Sequence, residues 1–160
     1  MQIRRADERD DTAIWRVIEP TIRAGATLML PRAMSEAAAL AYWRSASHEV
    51  HVAWDAGVVA GTYYLRANQL GGGAHVANCG YATAPAAAGR GVARAMCQHS
   101  LDRARARGFR AMQFNCVVAS NERAVHLWQS CGFAVVGRVP ETFEHPELGL
   151  VDTLVMHRRL

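Results

Sequence analysis

The sequence predicts a mixed α/β domain in which an antiparallel hairpin sheet leads into a strand–helix–strand–helix–strand unit. Two observations predict it. Two strand-like runs, "EVHVAWD" and "VVAGTYYLRA", are joined at Ala56-Gly57, which is a hairpin signal. From residue 74 onward, apolar runs of strand length alternate with segments of helical periodicity. The 160-residue length suits one domain over residues 1–160 with a proper core, and 51% hydrophobic with 20% charged residues is the composition of a soluble globular protein.

In order along the chain, "MQIRRA" is a short strand. From Asp7 to about Arg23, acidic residues open a segment with apolar Ala13, Ile14, Val17 and Ile18, the spacing of an amphipathic helix whose end Pro20 should distort. "GATLMLPRAM" is a loop, and Ser35 caps a second helix through about Ser45. After the hairpin, "NQLGGG" is a turn and "AHVANCGYAT" a strand. Val92 to Arg107 is a helix, apolar at 92, 93, 96, 97 and 101 and ended by Gly108. "FRAMQFNCVV" is a strand and "NERAVHLWQSCGF" a helix stopped by Gly132. "AVVGRV" and "LVDTLVMHRR" are closing strands around a "PETFEHPELG" loop.

Composition narrows the function. The net charge of +4 comes with no lysine at all, and the arginines are scattered without a basic stripe interleaved with aromatics, which argues against nucleic acid. No run approaches the roughly 18 apolar residues of a membrane span. The charged start "MQIRRADERDD" lacks a signal-peptide core, so the expectation is a cytoplasmic protein with no membrane partner. Cys79, Cys97, Cys116 and Cys131 form no C-x-x-C pair and read as free thiols, and no cysteine–histidine spacing suggests a metal site.

"YATAPAAAGRGVARAM" carries the chemistry. A helix N-terminus presents unpaired N–H groups and partial positive charge, and small residues ahead of it let an anion approach the backbone. Gly89 and Gly91 give that approach, while Arg90 and Arg94 can add charge-assisted bonds, so the segment reads as a pyrophosphate cradle. The bland alternative is a glycine-eased strand-to-helix turn. Neither G-x-x-x-x-G-K-[ST] nor G-x-G-x-x-G is present.

Two motifs in this element order resemble the GNAT superfamily of acyl-CoA-dependent N-acyltransferases over essentially the full length. The family's Gln/Arg-x-x-Gly-x-Gly/Ala falls on Ala88-Gly89-Arg90-Gly91-Val92-Ala93, with Ala88 departing at the first position. The family's Asn-x-x-Ala-x-x-Leu-Tyr-x-x-x-Gly-Phe falls on Asn121, Ala124, Leu127, Trp128, Gly132 and Phe133, with Trp128 where the tyrosine stands.

The resemblance implies a mostly antiparallel mixed sheet with a splayed parallel pair, residues 74–83 and 109–118, and helices on both faces. It implies acetyl-CoA as co-substrate, no metal, and acetyl transfer to the nitrogen of a small amine or imine. A peptide N-terminus as acceptor, or a non-catalytic acyl-CoA-binding module, are the alternatives, and a homodimer is a common family arrangement. The pantetheine arm would bond to the backbone of Tyr81, Ala82 and Thr83, with Asn121 as amide partner or simply helix cap. A backbone N–H near Gly80 would be the oxyanion donor. Indole cannot supply the proton that the family's phenol gives the leaving thiolate, so Trp128 is a pocket wall or core.

Asn78 shares a strand face with Gly80, and Asn115 lies in the facing run "MQFNCVV". Their bland role is a cross-strand Asn–Asn bond. "HVANCGY", "FNCVVASN" and the tryptophan resemble a GNAT branch that includes the fungal L-azetidine-2-carboxylate (proline-analogue) acetyltransferases, in which these two asparagines line the acceptor site and would position the amine. The remaining acceptor wall would come from the 25–34 and 140–149 loops, with Glu141, Glu144 and His145 as base candidates and Arg32 as a carboxylate partner.

Overall fold

The computed structural model describes residues 1–160. Strand β1 (Gln2–Arg5) is followed by a short 3-10 turn and helix α1 (Asp11–Ala24), then α2 (Glu36–Trp43). The hairpin β2 (Glu49–Asp55) and β3 (Val58–Ala67) leads to β4 (Val76–Thr83), α3 (Val92–Ala106), β5 (Ala111–Val118) and α4 (Glu122–Ser130). Strands β6 (Ala134–His145) and β7 (Gly149–Arg159) close the chain. All seven strands form one sheet in the order β1-β2-β3-β4-β5-β7-β6, and only β4 and β5 run parallel.

Local chemistry sets most boundaries. Ser35 Oγ accepts from the Ala38 amide and Asn121 Oδ1 from the Ala124 amide, each at a helix start. The β2–β3 turn puts Ala56 and Gly57 at φ 50° and 82°, the left-handed pair that matches strand twist. Two expectations need correction. Pro20 does not disturb α1, which runs on to Ala24 and stops at Gly25, because Pro20 lies on the exposed side, where water can satisfy the carbonyl it leaves free. "PETFEH" is strand rather than loop: Phe143 is buried opposite Val151, Thr142 bonds Thr153, and edge position plus a register shift accommodates Pro140.

Period-two alternation gives the sheet two apolar faces. Val50, Val52, Val59, Tyr64 and Ala82 pack under α1 and α2. Tyr63, Leu65, Ala77, Cys79, Met112 and Phe114 pack under α3 and α4. Cys79, Cys97 and Cys131 are buried free thiols, whereas Cys116 is exposed. No helix is long and apolar enough to cross a membrane.

Candidate functional site

The site begins where the parallel pair fails. Strands β4 and β5 pair only at Val76↔Ala111 and Ala77↔Met112, then separate. Asn78 sits at the fork, 7% exposed, and its Nδ2 donates to the Gln113 carbonyl at 2.8 Å. In a continuing ladder that carbonyl would take the next rung from β4, so the Asn78 amide ends the ladder while satisfying the acceptor it leaves. On the other strand, β5 carries two residues, Asn115 and Cys116, opposite Val155 alone. This bulge bends β5 away and widens the gap.

The open edge of β4 follows from parity. The Ala84 amide bonds Ala60 and the Asn68 amide bonds Val76, so even-numbered residues of β4 exchange their backbone bonds with β3. The N–H groups of Cys79, Tyr81 and Thr83 therefore face the gap. Of the expected backbone partners, Tyr81 and Thr83 are presented to a ligand and Ala82 is turned to β3. Likewise Gly80 lends the site its lack of a side chain, while its neighbours' amides point inward. An unpaired strand edge of this kind accepts an extended amide-bearing chain.

Beyond β4, the chain makes the expected cradle. Gly89 and Gly91 have φ of 78° and 79°, a left-handed backbone that favours glycine. Gly91 caps α3 without a side-chain bond, so the first amides of the helix are unclaimed. Nothing lies within 4 Å of a β-carbon placed on Gly91, and the Arg123 guanidinium is 3.9 Å from one on Gly89. Gap and cradle form one continuous cleft of about 920 Å³, whose walls include Ala88, Val92, Ala93 and Arg94. Arg90 is not in these walls: its guanidinium pairs with Asp55 on the β2–β3 hairpin. Arg123, at the start of α4, is the second cleft arginine, and the sequence reading missed it although it lies inside the matched "NERA" motif. These residues fit a diphosphate-bearing acyl carrier: open amides and two arginines at one end, an unpaired strand edge along the middle.

Trp128 lines the cleft and is also core. Its ring lies 5.0 Å from Tyr81 and 5.1 Å from Phe114, and the side chain is 9% exposed. The Tyr81 phenol bonds Ser100 at 2.7 Å, and burial raises its pKa well above the ordinary value. Asn121 does cap α4 and also borders the cleft.

On the α1–α2 side, the cleft wall is Thr27 to Leu30, Tyr42, Tyr64, Asn78, Asn115 and Cys116. The asparagines do not bond each other: Asn115 donates to Asn68 Oδ1 at 2.7 Å and accepts from Gln113 Nε2 at 2.9 Å. Tyr64 is the residue that sequence reasoning overlooked here. Its ring covers Gly80, and its hydroxyl lies 3.2 Å from that of Tyr42. His48 stacks on it at 4.1 Å, and Trp43 meets its edge at 5.0 Å. Burial raises the Tyr64 pKa, which keeps the phenol a hydrogen-bond donor. The alternation of "GTYYLRA" was the available signal.

The other expected wall residues lie elsewhere. Arg32 folds against Gly25 and donates to the Arg23 carbonyl. Glu141 donates its amide to Asp152, and His145 Nδ1 accepts from the Glu147 and Leu148 amides, both in the β6–β7 hairpin. None of Arg32, Glu141, Glu144 and His145 borders the cleft.

With this geometry in view, the comparisons with known proteins agree on a family. The Acetyltransferase (GNAT) family profile matches residues 15–133. The chain is similar to the N-acetyltransferase aca1 of Schizosaccharomyces pombe, 28% identical over 81 residues. That match covers 51% of this chain and spans 39% of the yeast protein. Among solved structures, a GCN5-related N-acetyltransferase from Kribbella flavida superposes with a TM-score of 0.94 at 44% identity, covering 99% of this chain and 97% of that one. The fold is also that of yncA from Salmonella typhimurium, solved with its cofactor acetyl-CoA: TM-score 0.87, 24% identity, 100% of this chain and 94% of the other.

Proposed function

Because the chain belongs to the acetyltransferase (GNAT) family, we propose that it is an acetyl-CoA-dependent N-acetyltransferase acting on a small amine or imine, with amino acids and proline analogues as the acceptor class. The single observation that carries this reading is the continuity of the split between β4 and β5 with the amide cradle at the start of α3, in one cleft of about 920 Å³. Acetyl-CoA supplies an activated acyl carbon, and the acceptor nitrogen takes the acyl group as the coenzyme leaves as its thiol.

The residues divide by position. Amides of Gly89 and of Gly91 to Arg94, with the Arg94 and Arg123 side chains, hold the diphosphate. The inward amides of Tyr81 and Thr83 pair with the amide-bearing arm, and those of Cys79 and Tyr81 flank the place where an oxyanion develops. Trp128 and Phe114 wall the gap and exclude water. Asn78, Asn115 and Tyr64 face the acceptor and set the direction of its lone pair, a positioning effect. No carboxylate lines the cleft, so the nitrogen reacts as the neutral amine, which apolar surroundings favour.

Free-thiol release from acetyl-CoA, measured against azetidine-2-carboxylate, amino acids, polyamines and short peptides, tests the proposal. Release with a small amine or imine is the expected result. Release with peptides alone would transfer the acceptor class to protein N-termini. Acetyl-CoA binding by calorimetry without release against any amine would make the chain an acyl-CoA-binding module.

A further inference from the structure

The acceptor half of the cleft is walled by neutral side chains, and a cation without a carboxylate partner stands just beyond that wall, not in it. Arg66 on β3 is the direct cross-strand partner of Asn78. Side chains paired this way lie about 5 Å apart at Cβ and on the same sheet face. Alternation puts Arg66 on the face that also carries Tyr64, two residues back, whose ring covers Gly80.

Arg66 differs from the arginines that are paired around the sheet. Arg4, Arg44, Arg90 and Arg103 each meet a carboxylate, and Arg66 meets none within 4 Å. Its one hydrogen bond is from Nη1 to the Ala67 carbonyl, at a long 3.3 Å. The side chain is half-buried. A guanidinium partly removed from water, with most of its five donors free, is a poor structural choice but a good anion site. Burial dominates at the acceptor wall, raising the pKa of the Tyr64 phenol and lowering that of the His48 ring that stacks on it, and the nearby Arg66 charge adds a smaller lowering to each. With Asn68 and Asn115 joined across the strand beyond it, the cation is bordered by amides, and no acid competes for it.

We propose that Arg66 binds the carboxylate of the acceptor, which makes the substrate a short amino or imino acid. The nitrogen then lies at the level of Gly80 and Tyr64, and the acid group is drawn toward Asn78 and Arg66. Planar bidentate pairing suits guanidinium and carboxylate, and the flanking amide of Asn78 fixes the orientation. The inference rests on the acetyltransferase reading above and sharpens its acceptor.

The test uses three acceptors of one skeleton: azetidine-2-carboxylate, azetidine-2-carboxamide and azetidine. A charge-assisted pair of this kind corresponds to roughly 10- to 100-fold in kcat/KM. Wild-type protein should prefer the carboxylate over the carboxamide by that factor. Arg66→Gln should erase the preference by raising KM for the carboxylate, leaving turnover of the carboxamide and acetyl-CoA affinity unchanged. Arg66→Lys, which keeps the charge but loses the fork, should retain part of it. Equal use of carboxylate and carboxamide by the wild type, or an equal loss on both in Arg66→Gln, would overturn the assignment. Activity on some other amine with none on these three would overturn the carboxylate site and spare the acetyltransferase reading. No thiol release with any amine would remove both.

Discussion

Replacing Gly80 with alanine isolates the contact that shapes the acceptor end of the cleft. A β-carbon there would stand 2.5 Å from Tyr64 Cε1, 2.6 Å from Cζ and 2.7 Å from the hydroxyl oxygen. Carbon pairs settle at about 3.5–4.0 Å, so the ring must retreat by roughly 1 Å. It has little freedom to do so. His48 stacks on one face at 4.1 Å, Trp43 meets its edge at 5.0 Å, and the Tyr42 hydroxyl bonds it at 3.2 Å. Overpacking of this kind costs about 1–3 kcal/mol, and loss of the Tyr42 bond adds about 1 kcal/mol. Gly80→Ala should therefore lose about 2–4 kcal/mol in urea unfolding. Tyr64→Ala removes the obstacle at its own cavity cost, so adding Gly80→Ala to it should change little, a coupling of about 2–4 kcal/mol. In thiol-release assays the single Gly80→Ala variant should lose turnover and keep acetyl-CoA affinity, because the cradle lies at the other end. An equal cost of Gly80→Ala with and without Tyr64, or a cost below about 0.5 kcal/mol in the wild-type background, would refute the argument.

Three further outcomes are expected. Gly91→Glu puts a bulky anion at the unclaimed amides of α3, in a left-handed position, and should cut acetyl-CoA affinity at least 100-fold by calorimetry while the chain stays folded. Arg123→Ala should weaken acetyl-CoA about tenfold and leave turnover of a phosphate-free acetyl-pantetheine thioester unchanged; an equal loss on both would remove Arg123 from the phosphate end. Burial holds the His51 pKa down to about 4 from an ordinary 6.5, so the folded protein binds fewer protons than the unfolded chain between those values. Stability should be full above pH 6.5 and decline toward pH 4, by at most about 3 kcal/mol, and His51→Gln should flatten that slope in urea titrations at stepped pH.

What was readable from the chain was local. Gly89, Gly91, Gly108 and Gly132 all take the left-handed conformations that their places at helix ends suggest, and Ser35 and Asn121 cap as their side chains allow. Apolar periods set the helices and the strands other than the second half of β6, and the glycines set the cradle ahead of α3, because each needs only a few consecutive residues to specify it. Tertiary structure decided which carbonyl or charge each side chain meets. Asn78 finds Gln113 and Asn115 finds Asn68, rather than each other, because the parallel ladder stops after two rungs. Arg90 leaves the cradle for Asp55, and Arg123 from the next helix stands beside Gly89. "PETFEH" becomes strand since β7 offers it partners, and Tyr64 comes to cover Gly80 through the β3–β4 register. These are choices made across space between residues far apart in the chain. A periodic pattern fixes which face a side chain takes, and only the pairing of strands fixes what waits there.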